Sequence, residues 1–296
     1  MTGVTGLIGK ALCQKLKSEG HTIIGLSRSP EKNTKLAVNE LLKWDGLSQL
    51  PQEYLQGVDA VVHLAGEPVA EGRWTDERKK RIRDSRIIST RNLVEAMRLA
   101  ANKPAVFVCG SAVGFYGDRA DEILDENSAA GTGFLADVCK EWEGEANPAR
   151  ALGIRVVELR TGVVFAKDGG ALKKMLPPFK MGVGGPLGDG RQWFPWIHLD
   201  DTVGLFDFAL NTASFDGVIN ATAPGIVTNA DFTKQLGKVL HRPAFLPVPA
   251  FALNLIFGEM AVVLLASQRA LPKAALAAGY KFQYPDLVPA LENLAH

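Results

Sequence analysis

The sequence predicts an α/β protein: a Rossmann-type, doubly wound parallel sheet with a smaller, mostly helical C-terminal part. Three observations carry that prediction. Short apolar runs at residues 22–27, 60–65, 106–109 and 155–160 alternate with helix-patterned segments, the order expected of a parallel sheet covered by helices. The runs are apolar almost throughout, which suits strands buried on both faces rather than strands with one wet face. A glycine-rich turn at the start of the chain leads straight into an amphipathic segment, as a dinucleotide-binding unit does.

Taken in order, Thr2-Gly3-Val4-Thr5-Gly6-Leu7-Ile8-Gly9 spaces its glycines by three and three. On the helix that follows, Leu12 and Leu16 face inward and Gly20 stops it. Glycines here permit a tight turn, close approach of backbone to a pyrophosphate, and close packing of helix on strand. The helix's first N–H groups and its dipole then hold the anion. The next strand ends in Ser27-Arg28-Ser29, with no acid. An NAD site places Asp or Glu there for the ribose 2′-hydroxyl, whereas a guanidinium beside two hydroxyls suits a 2′-phosphate. NADP(H) is therefore the expected cofactor. Such a fingerprint follows a buried strand of about five or six residues, yet Met1 alone precedes Thr2. The expectation is a chain that starts several residues upstream.

Further along, Ile82, Ile88, Val94 and Met97 recur at roughly helical spacing within residues 81–101 and read as a core-facing stripe. Glycine and proline crowd residues 169–195, which read as long loops around a site. From about residue 225, helical patterns punctuated by Pro243, Pro247, Pro249, Pro272 and Pro285 mark the smaller part. The expected division is 1–224 for the dinucleotide-binding domain with its substrate loops and 225–296 for the helical part.

Composition excludes several classes. Thirty-three basic residues against 32 acidic leave a net charge of +1, so no overall field draws the chain to nucleic acid or to a membrane. No apolar run approaches the roughly 18 residues needed to span a bilayer, and residues 261–266 read as buried core. Cys13, Cys109 and Cys139 show no C-x-x-C spacing and are odd in number, which fits a reducing, cytoplasmic compartment. The first ten residues lack the basic and apolar sections of a signal peptide. His198, Asp200 and Asp201 form an incomplete metal set, so no metal is expected, and Asp200 or Asp201 reads as a helix N-cap. A homodimer is compatible with this fold but nothing demands one.

Together, Thr-Gly-x-x-Gly-x-x-Gly, the strand end His63-Leu64-Ala65-Gly66, and Thr90-Arg91-Asn92-Leu93 on a helix resemble an extended short-chain dehydrogenase/reductase. Gly66-Glu67-Pro68 with Arg73-Trp74, Leu159-Arg160-Thr161-Gly162-Val163-Val164, and Gly185-Pro186-Leu187-Gly188-Asp189-Gly190 running into Phe194-Pro195-Trp196-Ile197-His198 narrow the resemblance. They resemble its atypical "epimerase family" branch of NADP-dependent oxidoreductases, over essentially the whole chain. The resemblance implies a cofactor site. Gly3, Gly6, Leu7 and Ile8 would line the pyrophosphate, and Ser27 and Arg28 the 2′-phosphate. Leu64, Ala65 and Gly66 would pass under the adenine-side ribose, Arg86 would reach the cofactor from its helix, and Val164 would border the nicotinamide.

Reductases of this superfamily use a Tyr whose pKa is lowered by a Lys four residues on, with a Ser sharing the substrate hydrogen bond. Ser111 stands where that Ser is expected. The Tyr-x-x-x-Lys is missing: the helix reads Phe134-Leu135-Ala136-Asp137-Val138-Cys139-Lys140-Glu141-Trp142-Glu143. If Lys140 is the lysine, Ala136 replaces the tyrosine; if Glu143 sets the register, Leu135 and Cys139 fill the two positions. Ser111 and Tyr116 are the candidate catalytic residues, with Ser111 or water as the proton source if no strong acid is needed. Arg191, Gln192 and Trp193 are candidates to face a substrate. The sequence thus points to an NADP(H)-binding oxidoreductase or epimerase-like protein acting on a small polar, sugar-like substrate, with a non-catalytic NADP(H)-binding sensor or partner protein as the alternative.

Overall fold

The computed structural model describes residues 1–33 and 35–295. In chain order its regular elements begin with α1 (Leu7–Ser18), β1 (Ile24–Ser27), β2 (Glu40–Lys43), β3 (Ala60–His63), α2 (Asp76–Leu99), β4 (Val106–Ala112), β5 (Ile123–Leu124), α3 (Phe134–Ala146) and β6 (Arg155–Thr161). They continue with β7 (Val163–Phe165), α4 (Gly170–Lys180), β8 (Trp193–Phe194), β9 (Trp196–His198), α5 (Leu199–Asn211), β10 (Gly217–Ala221), β11 (Val227–Thr228) and α6 (Asn229–Val239). The last are α7 (Ala250–Phe257), α8 (Val262–Leu265), β12 (Arg269–Ala270), α9 (Lys273–Ala277) and α10 (Leu287–Ala295).

The main sheet is parallel, in the order β10-β6-β4-β3, with β1 and β2 as a second parallel pair. Met1 and Thr2 join the two. The Leu26 amide donates to the Met1 carbonyl at 2.8 Å and the Thr2 amide to the Val62 carbonyl at 2.9 Å, in the lane between β1 and β3. The four apolar runs read from the sequence are therefore β1, β3, β4 and β6. Two further strands, β2 and β10, lie at the outer edges. Only one core-facing side of an edge strand's surroundings is guaranteed, and neither segment carries the continuous apolar run that marks a central strand.

Helices cover both faces. On one, Leu12, Cys13 and Leu16 of α1 pack with Val203, Phe206 and Ala209 of α5 against Val108 and Val157. On the other, Leu93, Val94 and Met97 of α2 pack with Trp142 and Ala146 of α3 against Phe107 and Val156. Thr75 starts α2 five residues earlier than the apolar stripe implies, because its hydroxyl accepts from the Arg78 amide at 3.2 Å. A third core joins Phe165, Leu172, Leu176 and Phe179 to Phe232, Leu236, Leu287 and Leu291, so the smaller lobe draws on chain from both sides of residue 225.

Two local readings are corrected. His198, not Asp200 or Asp201, caps α5: its Nδ1 accepts from the Asp200 amide at 3.0 Å. Asp201 is fully buried and instead accepts from the Gln283 and Tyr284 amides at 2.7 and 2.9 Å, tying the loop before the last helix to α5. Residues 261–266 are only partly core, since Ala261 is buried while Val262 is exposed. No helix among the described residues is long and apolar enough to cross a membrane, and among them no three His, Cys, Asp or Glu gather as a metal site.

Candidate dinucleotide site

The site forms where the chain leaves the Met1–Thr2 lane and turns into α1. Gly3 takes φ +68°, and a Cβ on it would stand 2.6 Å from the Leu64 carbonyl carbon and oxygen. Glycine is required twice over, by conformation and by space. Gly9 presses α1 onto the same turn: a Cβ there would lie 2.1 Å from the Gly3 oxygen. Gly6 is the N-cap residue, with no side-chain bond, and no acid occupies the first turn of α1. The uncapped N–H groups and the positive end of the dipole are thus left for an anion.

Beneath this turn lies a buried relay that the sequence reading missed. The Leu64 and Ala65 amides both donate to Thr2 Oγ1 at 3.1 Å. Thr2 Oγ1 lies 2.7 Å from His63 Nδ1, and His63 Nε2 lies 3.0 Å from Ser89 Oγ. Ser89 in turn donates to the Ser85 carbonyl at 2.6 Å. Proton counting orders the chain: Thr2 donates to Nδ1, so Nε2 carries the ring proton and donates to Ser89. Burial, then the positive charges of Arg86 and the amino terminus, push His63 down to about 3. The ring stays neutral and holds residues 64–66 against the glycine turn.

Around this frame the structure gathers most residues expected of a cofactor cleft. Leu7 and Ile8 open α1, half-buried, with Leu7 Cδ1 2.8 Å from where a Cβ on Gly169 would be. Arg28 is exposed beyond the tip of β1 and makes no ion pair or hydrogen bond among the described residues; Ser27 Oγ accepts from the Ser29 amide at 3.2 Å. Arg86 lies half-buried under the Gly66 turn, with a Cβ on Gly66 falling 2.9 Å from its Cζ. Its Nη1 donates to the Glu67 and Ile82 carbonyls at 3.0 and 2.9 Å, and its guanidinium sits 5.2 Å from the Trp142 ring centre. Nε and Nη2 have no partner among the described residues. The chemistry of this set — an uncapped helix start and two cations with free donors — fits a phosphate-rich dinucleotide. Val164 sits on β7 opposite Ile197 of β9, and its carbonyl closes on Gly170 at the start of α4.

The two catalytic candidates meet a buried charge network instead of an open cleft. Ser111 Oγ donates to Glu143 Oε1 at 2.6 Å. Arg160 Nε and Nη2 grip the two Glu143 oxygens, each at 2.8 Å, and Nη1 donates to the Tyr116 hydroxyl at 3.0 Å. The Tyr116 proton goes to Asn220 Oδ1 at 2.7 Å or the Asp125 carbonyl at 2.9 Å. The Arg160 guanidinium also lies 3.3 Å over the Phe115 ring. Tyr116 is fully buried, and burial pushes its phenol above the usual range despite Arg160. A catalytic phenol needs the opposite shift and an exposed oxygen, so this placement makes Tyr116 a structural member of the network. The signal for Arg160 was present in the sequence. A charge inside a strand buried on both faces must find a partner.

The network also fixes the phase of α3. Lys140 points to solvent and pairs with Asp137 at 2.6 Å, while Glu143 is the buried anchor. Of the two alignments, the one set by Glu143 puts Leu135 and Cys139 at the tyrosine and lysine positions. Burial, then Glu143, pushes the Cys139 thiol up to about 12. Of the other loop candidates, Gln192 is buried and donates to the Leu187 and Leu264 carbonyls, and Trp193 stacks under Arg269 while donating to Asp121. Arg191 is exposed.

Known proteins match this chain over its whole length. A model described as "NAD dependent epimerase/dehydratase family" matches residues 1–221, and a domain of unknown function matches residues 248–294. The epimerase family protein SDR39U1 homolog, chloroplastic, of Arabidopsis thaliana is 44% identical over 99% of this chain and 85% of its own length. A crystal structure of human SDR39U1 with NADPH is 35% identical, superposes with a TM-score of 0.89, and is covered over 97% of its length by 99% of this chain. A Corynebacterium glutamicum structure described as a nucleoside-diphosphate sugar epimerase is 38% identical with a TM-score of 0.79; 99% of this chain covers 57% of that one. With such a family match over more than half its residues, and relatives this similar along its length, the chain belongs to the NAD dependent epimerase/dehydratase family.

Proposed function

We propose that this protein is an NADP(H)-dependent oxidoreductase that reduces a small polar, sugar-like substrate. The observation that carries the reading is Arg28, an exposed cation with no ion pair or hydrogen bond among the described residues, just beyond the tip of β1, beside the Ser27 hydroxyl and with no acid in the ribose-reading position. The human relative crystallised with NADPH supports the same choice. The α1 start, Gly3, Leu64, Ala65 and Gly66 would hold the dinucleotide, Arg86 would bind it through Nε or Nη2, and Val164 would border the nicotinamide. Bound NADPH supplies a hydride. The chain's own part in the reaction is to position the substrate and deliver a proton. Epimerisation also requires a base to remove a hydroxyl proton, and here Leu135 and a high-pKa Cys139 stand in place of the Tyr–Lys pair. Reduction needs only a donor, for which Ser111 or a water suffices.

One observation favours a second reading, a non-catalytic NADP(H)-binding sensor. The Ser111 proton is engaged by Glu143 at 2.6 Å and Tyr116 is sealed inside, so neither hydroxyl is free without rearrangement. Fluorescence titration comes first. NADPH should bind more tightly than NADH, and Arg28→Ala should weaken NADPH by about tenfold or more, 1.5–3 kcal/mol for lost charge-assisted bonds, while leaving NADH nearly unchanged. A preference for NADPH that survives Arg28→Ala would remove the ground for this assignment. Steady NADPH oxidation with a panel of keto sugars and hydroxyketones then marks the reductase, and tight binding without consumption marks the sensor.

A further inference from the structure

The near-neutral net charge conceals a one-signed, apolar surface on the smaller lobe. Two segments that lie side by side build it. Residues 169–188 and 232–258 contain no Asp or Glu, yet they carry Lys173, Lys174, Lys180, Lys234, Lys238 and Arg242 together with His241. All six cations are exposed, and among the described residues none is in an ion pair. The segments are held together by backbone. Arg242 Nε donates to the Lys180 carbonyl at 3.2 Å, the Leu246 amide to the Gly184 carbonyl at 3.3 Å, the Gly188 amide to the Val248 carbonyl at 2.9 Å and the Val248 amide to the Pro186 carbonyl at 2.9 Å.

Large apolar side chains stand out of this basic ground. Phe251 and Leu255 are each 74% exposed, Phe245 72% and Met181 70%. Phe251 and Leu255 are spaced i, i+4 and therefore share one side of α7, a helix of which Leu253 alone is buried. Phe245 borders a concavity whose other walls include Lys234, Lys238, His241 and Arg242. Glu292 of α10 borders the surface on the far side of Lys238 and His241. Exposed aromatic and aliphatic side chains set in a predominantly basic surface, with the acids Asp231, Glu259 and Glu292 only at its margins, are complementary to one kind of partner surface, one that offers anions at its face and hydrocarbon just beneath.

We propose that this face docks the protein reversibly on an anionic lipid bilayer. Lys234, Lys238, Arg242, Lys180 and His241 would lie among lipid phosphates, with Phe245, Phe251 and Leu255 inserted at the boundary with the acyl chains. The short α7 lies on the surface and does not cross it, in keeping with the absence of a spanning helix among the described residues. A local one-signed face acts within a Debye length of the membrane, where the balance of the rest of the molecule is screened.

Vesicle flotation tests it on the full chain. Binding is expected to vesicles of phosphatidylcholine with 30 mol% phosphatidylglycerol, and to fall steeply as salt is raised. Vesicles of phosphatidylcholine alone should leave the protein unbound. Lys234→Gln with Lys238→Gln should weaken binding roughly 20- to 30-fold, at about 1 kcal/mol per cation. Phe251→Ser with Leu255→Ser should abolish it while preserving the circular dichroism melt. Failure to float with anionic vesicles overturns the proposal. So does unchanged flotation in both double variants, or a wild-type dimer that the Phe251→Ser, Leu255→Ser pair converts to monomer, which would give the face to a second copy of the chain.

Discussion

Replacing Arg160 by methionine should cost the protein about 3–5 kcal/mol and lower its Tm by roughly 10 °C. The guanidinium and the Glu143 carboxylate are nearly inaccessible, with side-chain exposures of 4% and 9%. Removing the cation leaves an ionised carboxylate buried with the Ser111 hydroxyl as its remaining partner, takes a donor from Tyr116, and strips the charge from above the Phe115 ring. Stranding one member of such a pair is far worse than removing both. The double variant Glu143→Leu, Arg160→Met should therefore recover much of the loss, and chemical denaturation of the four proteins measures the coupling. A single variant within 1 kcal/mol of wild type would mean that the network does not hold this region together.

Glu158→Gln should stabilise the protein by roughly 3–5 kcal/mol at pH 8 and by almost nothing at pH 4.5. Burial, then the neighbouring Glu143 charge, pushes Glu158 up to about 8. The folded chain thus keeps a proton that the unfolded chain releases near 4.5. The stability this confers is complete below 4.5 and is lost as pH rises through 8. His63 runs the other way: the folded ring refuses a proton until about 3, whereas the unfolded one accepts it near 6.5. Its contribution is complete above 6.5 and is lost as pH falls toward 3. Each group changes stability by about 1.4 kcal/mol per pH unit within its window, so from 4.5 to 6.5 they cancel and together give a plateau. Urea unfolding across pH 4–9 should show the alkaline arm flattened in Glu158→Gln. Parallel curves for the variant and wild type would place the Glu158 charge in contact with Arg150 or Arg160 strongly enough to keep it ionised.

Features written locally in the chain were the legible ones. The glycines at residues 3, 6 and 9 stand within one short stretch, Gly6 and Gly9 pressed on Gly3 itself even though Gly3 also answers to Leu64, and the four apolar runs follow from burial on both faces. Thr75, as a cap, reveals itself only when its hydroxyl is seen against Arg78. What could not be read was pairing at a distance. Ser111 with Tyr116, Glu143, Arg160 and Asn220 come from four different stretches of chain, so a tyrosine that looked available for chemistry proves to be spoken for. Likewise His63 was legible as a strand end but not as the link between Thr2 and Ser89. The absence of a Tyr-x-x-x-Lys was visible at once. Which residues replace it depended on Glu143 facing inward and Lys140 outward, a fact of helix phase that needs the fold.

Leu7 touches the Gly169–Gly170 pair, and Lys174 of α4 reaches across to the Ala70 carbonyl at 3.2 Å. A helix of the smaller lobe is thereby tied to the larger lobe at two places, on the first residue of α1 and on the loop after β3. On the function proposed above, the groups that would grip a dinucleotide all belong to the larger lobe, and α4 is the part of the smaller lobe held nearest to them. A substitution that loosens either contact would then be felt at the glycine turn through packing alone, with no charged group altered.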